Sequence, residues 1–186
     1  KVIVAGGYWA SELATTEVYD PATGQWSAGP TLATARRRHS ATMMPDGRVL
    51  VAGGEASLPT AELLEIDGPS WAPRASMTAA RSEATATLLK NGKVLVAGGV
   101  GLDTAALHDP AANTWGPTGN NMAQPRSRHA MVTLVNGQVL VVGGQEDPTG
   151  SADVYDPPTD RWAGAGSLGS ARWNLTATLL PCGEVL

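Results

Sequence analysis

One seven-residue phrase is written four times in this chain, and it constrains the fold more than anything else. Lys1-Val-Ile-Val-Ala-Gly-Gly7 returns as Arg48-Val-Leu-Val-Ala-Gly-Gly54, Lys93-Val-Leu-Val-Ala-Gly-Gly99 and Gln138-Val-Leu-Val-Val-Gly-Gly144, and a fifth copy opens at Glu184-Val-Leu186. A tryptophan follows each diglycine at a nearly fixed distance (Trp26, Trp71, Trp115, Trp162), and then an arginine (Arg36, Arg81, Arg126, Arg172). Recurrence every roughly 40–50 residues means that a unit cannot bury its apolar face alone and must stack on its neighbours.

Within one unit the pattern is that of strands. Glu83-Ala-Thr-Ala-Thr-Leu-Leu89 alternates small, β-tolerant residues, as suits a strand where several sheets converge. Asn91-Gly92 follows, with Asp46-Gly47, Asn136-Gly137 and Cys182-Gly183 in the other copies; such pairs predict a type I′ hairpin turn. Val94-Leu-Val-Ala97 is an apolar run that predicts a strand buried on both faces, closed by Gly98-Gly99. A third strand reads Glu17-Val-Tyr-Asp20, Glu62-Leu-Leu-Glu65 and Asp153-Val-Tyr-Asp156; in the remaining copy it is Ala106-Leu-His-Asp109, without the first acid. The tryptophan opens a fourth, short strand beside Gly and Pro, as expected of an edge. Helical periodicity is absent. Four short antiparallel strands per repeat predict an all-β propeller.

The phrase set Arg-x-x-His, Asp/Asn-Gly, Val-Leu-Val-x-Gly-Gly, Glu-x-Tyr-Asp-Pro and Trp resembles the kelch repeat, in particular its bacterial and galactose-oxidase-like branch, over essentially the whole chain. The resemblance implies a β-propeller of four-stranded antiparallel blades, strands A to D running outward from the axis. Residues 1–186 then form one propeller segment with about four repeats. Residues 1–30 hold strands B–D of one blade, 36–76, 81–121 and 126–168 are full blades, and 172–186 start another. The expectation is a partial propeller completed by further blades or a second chain. Gly6, Gly7, Gly53, Gly54, Gly98, Gly99, Gly143, Gly144 and the four tryptophans are structural on this reading, the tryptophans largely buried between sheets, with Trp26 and Trp162 less so where adjoining blades are absent.

The arginines have two roles open to them. Architecturally, Arg36, Arg81, Arg126 and Arg172 would meet the acids Glu17, Glu62 and Asp153. Functionally, they would rim the channel mouth and hold anionic groups, as the resemblance to some kelch adaptors implies. Arg126 is singled out because Ala106 stands where its acid is expected, so it should be unpaired. Arg36-Arg37-Arg38-His39 and Arg126-Ser127-Arg128-His129 are matched elsewhere by Arg81-Ser82-Glu83-Ala84 and Arg172-Trp173-Asn174-Leu175. This loop between strands D and A is the variable part of the unit, and variable loops on a rigid scaffold are where binding resides. The candidate binding residues are therefore Arg36, Arg38, Arg126, Arg128 and Trp173, expected to make a shallow cationic rim with one aromatic.

Other chemistry finds little footing. His39, His108 and His129 lie in different repeats without zinc-motif spacing, and His108 takes the slot of Tyr19 and Tyr155, where packing is expected. The copper-radical ligand set of galactose-oxidase-like enzymes cannot be mapped onto Tyr8, Tyr19, Tyr155 and Cys182. Asp103, Glu146 and Asp147 lack the carboxylate density of a calcium loop. Cys182 stands alone in a turn, so no disulfide forms within the chain. The diglycines lead into strands, not into the helix a phosphate loop needs. A net charge of -4 gives no electrostatic case for nucleic acid, and no apolar run is long enough to cross a bilayer as a helix. Residue 1 already lies in a strand pattern, so the natural N-terminus is expected upstream. Few lysines against many arginines, with abundant Ala and Gly, fit a bacterial source. The expectation is a non-catalytic binding or scaffold module in a secreted or cell-surface setting, with no cofactor or metal and with a protein, peptide or glycan partner. The alternative is the propeller part of a secreted galactose-oxidase-like enzyme whose catalytic residues lie outside this chain.

Overall fold

The computed structural model describes residues 1–55, 58–65 and 70–186, and every regular element among them is a β-strand. The first blade contains β1 (Val2–Ala5), a short hairpin of β2 (Tyr8–Trp9) and β3 (Ser11–Glu12), then β4 (Thr16–Asp20) and β5 (Gln25–Ala28); its sheet runs β1-β4-β5. Three four-stranded antiparallel sheets follow, each in chain order. They are β6 (Ser40–Met43), β7 (Val49–Ala52), β8 (Ala61–Leu64) and β9 (Trp71–Arg74); β10 (Thr85–Leu88), β11 (Val94–Ala97), β12 (Ala105–Asp109) and β13 (Thr114–Pro117); and β14 (Ala130–Thr133), β15 (Val139–Val142), β16 (Ser151–Asp156) and β17 (Arg161–Ser167). The innermost strand β10 lies against both β6 and β14, so successive sheets meet at their first strands, as blades do. Residues 178–186 make a hairpin bridged at Leu179 and Val185.

The tight turns differ from the type I′ expectation. Gly92 N–H donates to the Leu89 carbonyl at 2.9 Å, and Leu89 N–H donates to the Lys93 carbonyl at 2.8 Å. The same pair of bonds recurs at Met44–Arg48, Leu134–Gln138 and Leu180–Glu184. Only the glycine of each turn has positive φ, 83° to 91°. These are three-residue loops that end on a left-handed glycine, not two-residue loops with two left-handed positions. The preceding Asn or Asp caps the turn instead: Asn91 Oδ1 accepts from Lys93 N–H at 3.1 Å, and Asp46 and Asn136 do the same.

The second strands β7, β11 and β15 are almost wholly buried. Their apolar side chains fill the joints between blades. Leu50, Leu63 and Met77 pack with Val94, Val96 and Ala106 across one joint, and Leu95 and Met122 with Val139, Val141 and Trp162 across the next. Blade stacking is therefore where the apolar area goes, as the repeat period demands.

The diglycines stitch the same joints together. Gly7, Gly54, Gly99 and Gly144 donate their N–H to the carbonyls of Arg36, Arg81, Arg126 and Arg172, at 2.8–3.0 Å, each reaching from one blade to the next. The glycine before each has φ of 67° to 74°, and a Cβ there would collide with that same arginine carbonyl. Only glycine meets both demands.

The tryptophans divide. Trp71 and Trp162 are buried and Trp115 partly so, each reaching back to the blade before it: Trp71 Nε1 donates to the Pro30 carbonyl at 3.0 Å and Trp115 Nε1 to the Ala75 carbonyl at 2.7 Å. Of the two tryptophans expected to be less buried where adjoining blades are absent, Trp162 is buried and Trp26 is 54% exposed. Trp26 belongs to the first blade of the chain, and its backward-facing surface meets none of the described residues that cover its equivalents. Trp26, Trp115 and Trp162 stack across the third and fourth strands on Tyr19, His108 and Tyr155, so His108 fills the tyrosine slot as a packing residue. Strand β17 is longer than the short edge strand expected, and its pairing with β16 is irregular between Ser151 and Asp153.

Candidate functional site

Arg36, Arg81 and Arg126 each sit at the entrance to the first strand of a blade and turn their side chains inward. Arg36 Nη1 donates to the Gly53 carbonyl at 2.7 Å and the Thr60 carbonyl at 3.2 Å, while Nη2 reaches Thr60 Oγ1 at 3.3 Å and Glu62 Oε1 at 2.7 Å. Arg126 repeats this with Gly143, Ser151 and Asp153, the last at 2.7 Å, and Asp147 lies 3.8 Å from its Nη1. Both arginines are completely buried. The ligand-facing role expected of Arg36 and Arg126 therefore does not fit: neither has surface to offer.

The pairing rule is also different from the one expected. Arg36 and Arg126 each meet the acid of their own blade, across from β7 or β15, and not that of the blade before. Arg126 thus has its carboxylate, and Arg81 is the one that faces Ala106. Arg81 keeps the Gly98 and Thr104 carbonyls and Thr104 Oγ1, and no carboxylate lies within 4.0 Å of it among the described residues. Burial pulls its guanidinium down to about 10, against the favourable charge of Asp103. Arg172 is exposed, with a long bond to the Ser170 carbonyl at 3.4 Å.

The variable D–A loops do gather on one face. Two residues after each arginine stands a left-handed residue that is not glycine: Arg38, Glu83, Arg128 and Asn174, with φ of 52° to 60°. Their backbones join hand to hand. Glu83 N–H donates to the Arg38 carbonyl at 3.0 Å, Arg128 N–H to the Glu83 carbonyl at 3.1 Å and Asn174 N–H to the Arg128 carbonyl at 2.9 Å. Together with His39, Ala84 and Thr85 they line an open hollow of about 530 Å³ at the centre of the blades.

The rim is charge-balanced, not cationic. Glu83 receives Arg128 through Nε at 2.6 Å and Nη2 at 2.7 Å, and Arg38 Nη1 at 2.7 Å. The bonded Arg128 and the nearby Arg38 hold its carboxyl below the ordinary glutamate range. Arg38 also faces Glu55 at 3.5 Å, and Arg37 is paired with Glu55 and, at 3.3 Å, Glu12. Arg128 lies over the Trp173 ring at 5.5 Å, and Trp173 is half exposed. Sequence reading missed Glu83 as a site residue, although it occupies the same loop slot as Arg38 and Arg128. It also missed the β2–β3 hairpin, which carries Tyr8 under Arg37 at 4.2 Å and sets Trp9 83% exposed beside Ala10.

The histidines and Cys182 do not assemble. His129 is buried, with Nε2 2.6 Å from Thr85 Oγ1; burial, with the Arg126 charge, pushes its pKa down to about 3. His39 and His108 are also lowered, chiefly by burial. Cys182 is exposed in the last hairpin. Among the described residues no three His, Cys, Asp or Glu side chains are grouped as a metal would need. Asp147, weighed as a cation ligand, spends its oxygens on Thr149 and Ser151. The donor set of a copper centre is not gathered by these residues.

The family model for the Kelch motif matches residues 1–33 and 125–169. No curated protein matches the chain. Among solved structures it is similar to a fungal alcohol oxidase of the AA5 family, solved in complex with copper. That likeness is at 15% identity and a TM-score of 0.51, over 95% of this chain and 64% of that one. At this identity the likeness speaks for the fold.

Proposed function

We propose that this chain, a β-propeller whose residues 1–33 and 125–169 match the Kelch motif, is a non-catalytic binding module that takes a protein, peptide or glycan partner on the face of its D–A loops. One observation carries this reading. Arg38, Glu83, Arg128 and Asn174 hold one backbone conformation in four blades while their side chains differ in charge and size. A repeat that keeps its scaffold and varies one outward position presents a composite surface. Trp173 and the Arg128 guanidinium above it supply an aromatic plane and a planar donor; Arg38 and Glu83 alternate in charge beside them. Such a rim suits a partner with mixed polar groups better than a polyanion. The hollow is open to solvent, as a docking surface would be.

The test is a displayed peptide library and an immobilised glycan array probed with the chain and three variants. Arg128→Ala and Trp173→Ala should each weaken the selected ligand about tenfold or more, in the range of interface anchors, while Lys90→Ala on the opposite end of the sheets should not. A ligand that is lost with Lys90→Ala and indifferent to Arg128 and Trp173 would place binding elsewhere.

The likeness to the fungal oxidase supports a second reading, in which these blades are the propeller part of a galactose-oxidase-like enzyme with its reacting groups outside residues 1–186. Copper-dependent alcohol oxidation by the whole protein would decide for it.

A further inference from the structure

Blades two and four each hold an arginine and a carboxylate in the same socket, and blade three holds the socket with the carboxylate replaced by Ala106. In blade two Glu62 satisfies three donors: Arg36 Nη2, and the N–H groups of Ala33 at 2.7 Å and Thr34 at 3.1 Å. In blade four Asp153 takes Arg126 Nη2 and Ala123 N–H. The counterparts in blade three are Arg81 Nη2 and the N–H groups of Thr78 and Ala79, three and two residues before the arginine. Among the described residues those two N–H groups have no hydrogen-bond acceptor, and Arg81 Nη2 has Thr104 Oγ1 alone. Arg81 is 3% exposed.

The nearest acid does not fill the gap. Asp103 accepts from Asn121 Nδ2 at 3.2 Å and stands outside ion-pair distance of Arg81, whereas Asp147 in blade four is within 3.8 Å of Arg126 in addition to Asp153. Blade three therefore buries a cation with one carboxylate fewer than its neighbours, and Thr78 and Ala79 stand at the chain positions whose N–H groups meet that carboxylate in blade two. A buried charge left uncompensated is costly, and such groups are paired in folded proteins. We propose that a small monovalent anion, a halide or a carboxylate of formate size, binds there between Arg81 and the Thr78 and Ala79 amides. The difference between Asp153 and Ala106 is one carboxylate group, which sets the size of the ligand.

Two measurements test it. In crystals soaked in bromide, an anomalous peak should lie beside Arg81 Nη2 and not beside Arg36 or Arg126, where side chains already fill the place. In solution, raising chloride at constant ionic strength against bulky gluconate should raise the melting temperature by about 2–4 °C through linkage. Ala106→Glu should supply the missing carboxylate and remove the chloride dependence. If that variant does not fold, Arg81→Met should remove it by deleting the cation. A wild-type melting temperature indifferent to chloride, or an equal chloride slope in the variants, overturns the proposal. So does a bromide-soaked crystal with no peak at Arg81.

Discussion

Arg126 and Asp153 meet at 2.7 Å inside the fourth blade, both fully enclosed, while the carbonyl of the same arginine accepts Gly99 N–H from the third. One residue thus ties its blade together with its side chain and ties two blades together with its backbone. Asp153→Ala leaves Arg126 buried with only the more distant Asp147. The expected loss is about 3–5 kcal/mol of unfolding free energy, as for one partner removed from a buried pair. Glu12→Ala, which breaks a half-exposed pair with Arg37, should cost about 1 kcal/mol or less. Denaturant titration of the two variants separates them, and equal losses would contradict the enclosed geometry.

The diglycine prediction uses the same joint. Gly98→Ala drives a Cβ into the Arg126 carbonyl and also forces alanine to a φ of 69°. Gly101 has a similar φ of 72° with open space around it. Gly101→Ala should therefore cost the conformational penalty alone, about 1–2 kcal/mol. Gly98→Ala should cost clearly more, or abolish folding, because two blades must part to admit it.

Much of this was legible because repetition exposes it. Positive φ and close approach at a diglycine leave a mark in residue type, and so does a strand buried on both faces, as in Val94–Ala97. The arginine–acid pair was legible as a motif but assigned one blade away. Which acid Arg126 meets depends on whether the loop before β14 folds onto its own sheet, and spacing along the chain does not say. The hairpins were misjudged for a similar reason. Asn91-Gly92 fits a two-residue or a three-residue loop, and the register between Leu89 and Lys93 decides. The pairing of Arg38 and Arg128 onto Glu83 depends on three blades placing one loop position around a common centre. Residue types alone carry no trace of that convergence.

His129 supplies a pH prediction. Its folded pKa of about 3 lies below the ordinary value near 6.5, so the folded state prefers the neutral ring. Its contribution is fully present above about pH 6.5 and is lost as the pH falls toward 3. Between pH 6 and 5, largely above the carboxylate range, wild-type stability should drop by up to about 1.4 kcal/mol per unit from this group. In the next copy Leu175 takes the same place against Gly143 that His129 takes against Gly98. His129→Leu should flatten the slope over that window. An unchanged slope would mean that the ring reaches solvent.

The four left-handed loop residues give the last prediction. Arg38 holds a φ of 55° that β-branched side chains adopt only under strain, and its ion pairs are partly exposed. Arg38→Gly should stay within about 1 kcal/mol of wild type: relief of the left-handed cost offsets weak ion pairs and the greater freedom of the unfolded chain. Arg38→Val should lose about 2 kcal/mol or more. Glu83→Gly also relieves the backbone, yet it should destabilise more than Arg38→Gly, because the nearly enclosed Glu83 carboxylate joins two arginines from neighbouring blades. Amide exchange reads the ring itself. Protection at Glu83, Arg128 and Asn174 should survive Arg38→Gly and fall in Arg38→Val, first at Glu83, whose N–H donates to the carbonyl of residue 38. A valine tolerated there with full protection would show that the left-handed turn is not what aligns the D–A loops.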